Sequence, residues 1–177
     1  MTRLAQTLVA ATVALAACIL GPSTAHAQLP EDGRKVLAYY VGTWQYEWKL
    51  EGETYRGTWS VKWSPDESCT LSHWSSKGPD GPAKGTKITG WDTAKHQSVD
   101  LDFSANGEHV LSRYTIESDK VEVGEGTGST PDGKVSRSKL RIDKKRGKFT
   151  WTLTDRIEGD ERLPDLVFVF RKVTDKE

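Results

Sequence analysis

The feature that most constrains this fold is a two-residue alternation of large apolar and polar side chains in the first third of the chain. One segment places four large side chains on a common face: Trp44, Tyr46, Trp48 and Leu50. Residues 55–64 repeat the arrangement with Tyr55, Trp59 and Trp63. Because successive side chains of a β-strand point to opposite faces, the alternation predicts antiparallel strands with one packed face and one solvated face.

Turn-forming sequences divide the rest of the chain at short intervals. They include Pro65-Asp66, Gly78-Pro79-Asp80-Gly81, Asp92-Thr93, Asn106-Gly107, Ser118-Asp119, Pro131-Asp132-Gly133, Lys145-Arg146-Gly147 and Glu158-Gly159-Asp160. The segments between them read as about ten short strands joined by hairpins, a pattern that predicts an all-β, up-and-down barrel or a sandwich. No change in composition marks a second domain, so residues 28–177 are predicted to form one unit.

The last strand favours closure into a barrel. Residues 166–170 are apolar on both faces, so their outer side needs a cover. Pairing of the first strand with the last would also remove exposed sheet edges. Upstream, Val36, Leu37 and Tyr40 have helical spacing, which predicts a helix from about Glu31 to Tyr40, ended by Gly42. We expect this helix to cover the outer face of the last strand.

Residues 1–27 have the layout of a secretory signal peptide. They contain one basic residue, Arg3, then an apolar run over residues 8–20 and a small-residue exit at residues 25–27. The apolar run is too short to cross a bilayer as a stable anchor. Cleavage after residue 27 would leave Gln28 at the N-terminus, so the sequence predicts a secreted or periplasmic protein with no transmembrane segment.

A second interpretation of the leader stays open. Residues 15–18 resemble a lipobox, in which Cys18 would carry a lipid and tether the protein to a membrane. If Cys18 is removed, Cys69 remains as the single cysteine, and an intramolecular disulfide is impossible. Without Arg3 the chain has 24 basic and 25 acidic residues, a formal charge of minus one. That balance gives no electrostatic case for a nucleic-acid partner.

Gly42-Thr43-Trp44, which follows the predicted helix and opens the first strand, resembles the Gly-x-Trp signature of the lipocalin and calycin superfamily. The resemblance implies that Trp44 closes one end of the barrel and that a basic residue late in the last strand, here Arg171, packs across its ring. With Gly90-Trp91-Asp92, the order of motifs is also similar to a family of small exported bacterial proteins of unknown function with a lipocalin-like domain.

Several aromatic and polar residues are candidates for contact with a ligand inside the barrel. They are Tyr46, Trp48, Trp63, Arg113, Tyr114 and Trp151. Because Arg113 and Tyr114 are adjacent, one of them must point inward. An inward Arg113 would favour a ligand with a carboxylate or phosphate group. The alternative is a surface arginine paired with Asp100 or Glu117.

Other polar residues receive structural interpretations. The alternation of Asp100 and Asp102 with apolar neighbours predicts that both lie on the solvated face, and Asp92 suits a turn. Residues 144–146 form a basic hairpin tip that we expect to be solvated. Cys69, in an alternating strand, is expected to be buried and inert. No spacing of His, Cys and carboxylates matches a known metal-ligand set, so no metal and no cofactor is predicted.

Three hypotheses about function follow. The first is a monomeric, lipocalin-like binder that takes a small apolar or amphiphilic molecule into its barrel. The second is an enzyme in the same cavity, either cofactor-free or haem-dependent through His73 or His109. The third is an envelope interaction module with a filled barrel and an exposed apolar patch around Trp74 or Trp91.

Overall fold

The computed structural model describes residues 29–173. The predicted signal peptide, the lipobox cysteine Cys18 and the new N-terminus at Gln28 lie outside the described residues. Within residues 29–173, the one helix is far too short and too polar to cross a membrane.

The first element of the described residues is the predicted helix, α1, which spans Glu31–Tyr40. Glu31 and Asp32 lie in its first turn, where negative charge is favourable next to the helix N-terminus. Its buried residues recur at intervals of three and four: Gly33, Val36, Leu37 and Tyr40. The helix therefore has one apolar stripe to pack and leaves its other faces in solvent.

Eleven strands follow the helix. They are β1 (Gly42–Leu50), β2 (Glu53–Trp63), β3 (Thr70–Gly78), β4 (Gly81–Asp92), β5 (Gln97–Ser104), β6 (His109–Ser118), β7 (Val121–Ser129), β8 (Val135–Lys145), β9 (Lys148–Glu158), β10 (Glu161–Arg162) and β11 (Leu166–Lys172). All pairings are antiparallel, and each strand from β1 to β9 pairs with the next along the chain.

Ten of these strands close into a barrel, as the sequence predicts. The last strand, β11, pairs with β1 on one side and with β9 on the other, which joins the two ends of the sheet. The two-residue β10 pairs only with the end of β9 within the described chain and lies outside the closed ring. Closure satisfies the backbone groups that the edges of an open sheet would expose.

Helix α1 covers one end of the barrel rather than the outer face of the last strand. It contacts the turns of that end: Arg34 pairs with Glu67 after β2, and Lys35 Nζ lies 3.0 Å from Asp119 Oδ1 after β6. The Tyr39 hydroxyl donates to the carbonyl of Lys145, 2.8 Å away, at the end of β8.

The expected cover of the last strand is therefore wrong. Val167, on the outer face of β11, is 46% exposed. The apolar stripe of α1 is used instead on the barrel end, where Tyr40 packs against Phe149 with ring centroids 5.4 Å apart. The helix closes the end of the barrel, and the strand keeps an uncovered outer face.

Candidate functional site

The barrel encloses a cavity of about 480 Å³. Its floor is formed by Tyr40 and Phe149 next to the helix-covered end, and its mouth by Leu50, Pro79 and Leu166 near turns of the opposite end. Protein interiors seldom contain voids much larger than a water molecule, and binding pockets typically have volumes of about 300–1,000 Å³. The interior is therefore a pocket, open at one end, rather than a filled core.

One wall of the cavity consists of large aromatic rings from β1, β9 and β11. Tyr46 and Trp48 are stacked with ring centroids 5.8 Å apart, and Phe168 lies 5.4 Å from Trp48. Trp151 lies 5.4 Å from Phe168 on the other side. Since β11 is placed between β1 and β9, residues far apart in sequence form this continuous apolar wall.

Four of the six predicted ligand-contacting residues lie at this cavity. Tyr46, Trp48, Tyr114 and Trp151 all line it. Burial raises the pKa of Tyr46, and it raises the pKa of Tyr114 well above its ordinary value, with a further contribution from the charge of Asp100. Both phenols are consequently neutral hydrogen-bonding groups at physiological pH.

The other two predicted contacts are not brought to the cavity. Arg113 is exposed, because Ser112 and Tyr114 on either side of it point inward. The prediction that Arg113 points inward and binds an anionic head group inside the barrel is therefore wrong. Trp63 lies at the end of β2, where the guanidinium of Arg34 in α1 is 5.2 Å from its ring centroid. Trp63 packs beneath the helix.

A charged cluster, absent from the predicted site, projects into the cavity. Lys87 Nζ from β4 donates to Asp100 Oδ2 at 3.2 Å and lies 3.7 Å from Asp102 Oδ2, both on β5. The Trp74 indole N–H donates to Asp102 Oδ1 at 2.9 Å. The prediction that Asp100 and Asp102 face solvent outside the barrel is wrong, because register with β4 turns them inward and their apolar neighbours outward.

Lys87 is a fixed cation in this cluster. Burial alone would lower the pKa of its ammonium group, but the charges of Asp100 and Asp102 and their hydrogen bonds outweigh that effect and raise the pKa. Its Nζ also lies 5.2 Å from the ring centroid of Trp151 and 5.7 Å from that of Trp59. The geometry suits ion pairing and cation–π contact, and the protonated amine is not a nucleophile.

Hairpin register could have located this cluster from the sequence. The turn at residues 79–80 pairs Trp74 with Gly85, which places Lys87 on the face that Trp74 occupies. The next turn pairs Lys87 with Asp102. Opposed residues of antiparallel strands share a face. Counting residues outward from the two turns therefore places Lys87, Asp100 and Asp102 on one face of the sheet.

A second buried ion pair lies at the floor of the cavity. Lys144 Nζ is 2.7 Å from Glu122 Oε1, and the Tyr40 hydroxyl donates to the same oxygen at 2.8 Å. The expectation that Lys144 is solvated is wrong: its side chain points inward from β8 and lies 5.2 Å from the ring centroid of Tyr39. Burial, followed by the Glu122 charge, raises the pKa of Tyr40 well above its ordinary value.

Trp44 lies at the helix-covered end and is almost fully buried. Its indole N–H donates to the carbonyl of Tyr40 at 2.7 Å. The cation across its ring is Lys172, with Nζ 5.4 Å from the centroid, and not the expected Arg171. In the β1–β11 register Trp44 pairs with Lys172, whereas Arg171 pairs with Gln45 on the outer face and bonds to Glu47.

Gly42, the other predicted closure residue, precedes Trp44 with a φ of +127°. A side chain there would be strained and would meet Lys172 Cε at 2.8 Å. Gly57 has a different role, because the Tyr46 ring lies directly across it and its Cζ would overlap an added Cβ. Both glycines permit close approaches that a side chain would block.

The remaining candidates do not form a reactive centre. His73 and His109 are exposed on the outer face, and the nearest polar partner of His73 Nδ1 is Thr86 Oγ1 at 3.1 Å. Neither imidazole reaches the cavity, which removes the structural basis of the haem hypothesis. Asp92 has the expected turn role, since it accepts the backbone N–H groups of Ala94 and Lys95. Cys69 is half-buried just before β3.

The interaction-module hypothesis is also at odds with the geometry. It requires a filled barrel, whereas the barrel is hollow. Trp74 points into the cavity, and Trp91 lies beneath Gly33 of α1, where an added Cβ would be 2.6 Å from its ring. No group of three His, Cys, Asp or Glu side chains in residues 29–173 is arranged to hold a metal ion.

No protein-family model matches the sequence, and no curated protein matches it significantly. Among solved structures, the crystal structure of Rv2717c from M. tuberculosis is similar with a TM-score of 0.58 and 15% identity, covering 83% of this chain and 100% of that one. The two chains share a barrel fold. At this identity the likeness shows the fold alone.

Two further solved structures match with lower TM-scores. A de novo designed fluorescence-activating β-barrel has a TM-score of 0.45 and 16% identity, with coverage of 78% of this chain and 98% of the design. The structure of EF1p2_mFAP2b bound to DFHBI has a TM-score of 0.46 and 13% identity, with coverage of 80% and 99%.

Proposed function

We propose that the protein binds a small apolar or amphiphilic molecule inside its barrel. The observation that carries the proposal is the open cavity of about 480 Å³, walled by Tyr46, Trp48, Trp151 and Phe168. Such a volume is many times the roughly 30 Å³ share of a water molecule in the liquid. A ligand buried there would gain about 25 cal/mol for each Å² of apolar surface removed from solvent.

The polar groups of the cavity support binding with a defined orientation. Apolar walls with a few fixed polar groups are typical of small-molecule sites, in which the walls supply affinity and the polar groups supply direction. Here the fixed groups are Lys87, Asp100 and Asp102, which lie beside the aromatic wall. Together with the Gly42–Trp44 motif, this arrangement supports a lipocalin-like mode of action: carriage or sequestration of a ligand without chemical change.

A neutral environment-sensitive dye, N-phenyl-1-naphthylamine, tests the proposal. We expect its fluorescence to rise with saturation at one dye per chain. Ser76→Trp should weaken dye binding strongly, because Ser76 lines the cavity near its open end and the added indole would occupy space there. Ser75→Trp adds the same group to the outer face of the same strand and should leave binding unchanged.

Both variants must keep the far-UV circular dichroism spectrum of the parent barrel. Equal dye binding by the two tryptophan variants, or no saturable binding to the parent, would refute the proposed site. Native mass spectrometry of the protein purified from its own cells then identifies the natural ligand as a mass adduct lost on denaturation.

We also propose that the protein acts outside the cytoplasm. The support is the order of basic, apolar and small residues in positions 1–27. The intact mass of the protein from the cell envelope or medium distinguishes the two modes of export: a chain that begins at Gln28, or one that begins at a lipid-bearing Cys18. A chain that retains Met1 would contradict both.

A further inference from the structure

The charged side chains that line the cavity are predominantly acidic. One is basic, Lys87, and five are acidic: Asp80, Asp100, Asp102, Glu108 and Glu122. At the floor, Glu122 is neutralised by Lys144. In the middle, Lys87 can neutralise one of its two aspartates, so one negative charge there has no counter-charge among the described residues.

The mouth adds to this negative field. Asp80 and Glu108 lie there, in the turns after β3 and β5. Burial raises the pKa of Glu108, and the negative charges of Asp102 and Glu158 raise it further. Carboxylates therefore line the cavity from its middle, at Asp102, to its mouth, at Asp80 and Glu108. A positively charged molecule would be drawn inward, and an anion would be repelled.

Of the two aspartates in the middle of the cavity, Asp102 is the more accessible and the less closely paired with Lys87. Its side chain is 23% exposed, against 12% for Asp100, and it lies farther from Lys87, at 3.7 Å rather than 3.2 Å. The Trp74 N–H donates to Asp102 Oδ1, and Asp102 Oδ2 faces Lys87 Nζ. The 3.7 Å from Lys87 Nζ is too long for a hydrogen bond, so Asp102 Oδ2 can accept a charged hydrogen bond from a ligand.

The aromatic wall is also suited to a cation. Lys87 Nζ already lies over the faces of Trp59 and Trp151, which shows that a positive charge at this level of the barrel meets π-electron density. Cations are attracted to the faces of Trp and Tyr rings within about 6 Å. Tyr46 and Trp48, which line the same cavity, offer further rings of this kind.

We propose, building on the proposed function, that the preferred ligand is an amine with an apolar body, whose ammonium group binds Asp102 while its body packs on the aromatic wall. The ammonium supplies the counter-charge that Lys87 leaves unmatched. The apolar body fills the space between Tyr46, Trp48 and Trp151.

Three probes with the same ring system test the inference: 1-naphthylmethylamine, 1-naphthalenemethanol and 1-naphthoic acid, which are cationic, neutral and anionic at pH 7. Their affinities are measured by displacement of N-phenyl-1-naphthylamine. We expect the amine to bind about tenfold more tightly than the alcohol, as is typical of one charged hydrogen bond, and the acid to bind most weakly.

Asp102→Asn should reduce the affinity of the amine to that of the alcohol. The affinity of the alcohol should stay within about twofold of its value for the parent protein, since asparagine keeps an oxygen that accepts from Trp74. Asp143→Asn removes the same charge from the outer face of β8 and should change neither affinity. The comparison therefore separates a local contact from the net charge of the protein.

Tightest binding by the acid would overturn the inference and indicate Lys87 as the head-group partner. Equal affinities for the three probes, or an amine affinity unchanged by Asp102→Asn, would also overturn it. Each of these outcomes leaves the proposed function intact, because the barrel still binds. Failure of N-phenyl-1-naphthylamine itself to bind would instead refute the proposed function, and the inference with it.

Discussion

Replacement of Lys144 by methionine is expected to destabilise the barrel strongly, because it leaves the Glu122 carboxylate buried without its cation. Lys144 Nζ and Glu122 Oε1 are 2.7 Å apart, and their side chains are 5% and 1% exposed. Removal of one partner from a buried ion pair costs about 3–5 kcal/mol. That loss is a large part of the roughly 5–15 kcal/mol by which folded domains are stable.

The same strand supplies a matched control. Lys139 Nζ lies 2.8 Å from Asp155 Oδ2, but these side chains are 65% and 47% exposed. Solvent screens exposed pairs, so Lys139→Met should cost at most about 1 kcal/mol. The two variants make the same substitution at nearly the same ion-pair distance. The difference between their losses of unfolding free energy therefore measures the effect of burial on the pair.

A double variant isolates the unpaired charge as the cause. Glu122→Gln in the Lys144→Met background removes the buried negative charge and keeps an oxygen that can accept from the Tyr40 hydroxyl. It should recover roughly 0.5–3 kcal/mol of the loss, the usual range for directly coupled residues.

Urea denaturation followed by tryptophan fluorescence gives the free energies of unfolding, provided that the four proteins share one slope with denaturant. If Lys144→Met costs no more than Lys139→Met, the floor ion pair contributes no more than a surface contact. A double variant less stable than Lys144→Met alone would show that lost packing, and not the unpaired carboxylate, causes the damage.

Two further predictions concern a glycine and a carboxylate. Gly57→Ala should cost about 1–3 kcal/mol in urea denaturation, because the new Cβ would overlap the Tyr46 ring, whereas Gly90→Ala meets open space and should change stability by less than about 0.5 kcal/mol. Equal effects of the two would contradict this. Hydrogen bonds from Ser64 and then Ser68 lower the pKa of Asp66 to about 2. Because this pKa is depressed, the stabilisation is present above the ordinary value of 3.8 and is lost as the pH falls towards 2. An NMR titration of Asp66 should show this value and a rise towards 3.8 in Ser64→Ala, and an unshifted Asp66 in the parent would refute it.

The fold could be predicted from the sequence because its determinants are local. Alternation in β1 and β2, turn residues at short intervals and the helical spacing of Val36, Leu37 and Tyr40 each act within a few residues. The bounds of α1 and the pairing of the first strand with the last are confirmed. The position of α1 could not be predicted in this way, because it depends on turns distant in sequence, such as Glu67 and Asp119.

The partner of Trp44 shows where local pattern reaches its limit. Arg171 and Lys172 are adjacent and both basic, so a shift of one residue in register decides which of them meets the ring. The observed register pairs Trp44 with Lys172 across β1 and β11, two strands that are more than a hundred residues apart in the chain. No turn joins these two strands directly, so counting from a hairpin could not have placed the pair.

The missed charges of the cavity have a different physical cause. The assignment of Asp100 and Asp102 to the outer face rests on the rule that polar residues face outward, but the inner face of this hollow barrel carries paired polar groups as well. Apolar Phe103 consequently faces outward and is 47% exposed, while Asp100 is buried. Polarity alone cannot assign the faces of such a strand, but its register with a neighbouring strand can. The ring of Trp74 lies inside the barrel, and the registers of the β3–β4 and β4–β5 hairpins place Lys87 and Asp102 on the same inner face. A strand whose polar residues share the face of a neighbour's buried aromatic residue is therefore the place to look for binding chemistry in a barrel of this kind. β4 and β5, which carry the Lys87 cluster, satisfy this condition.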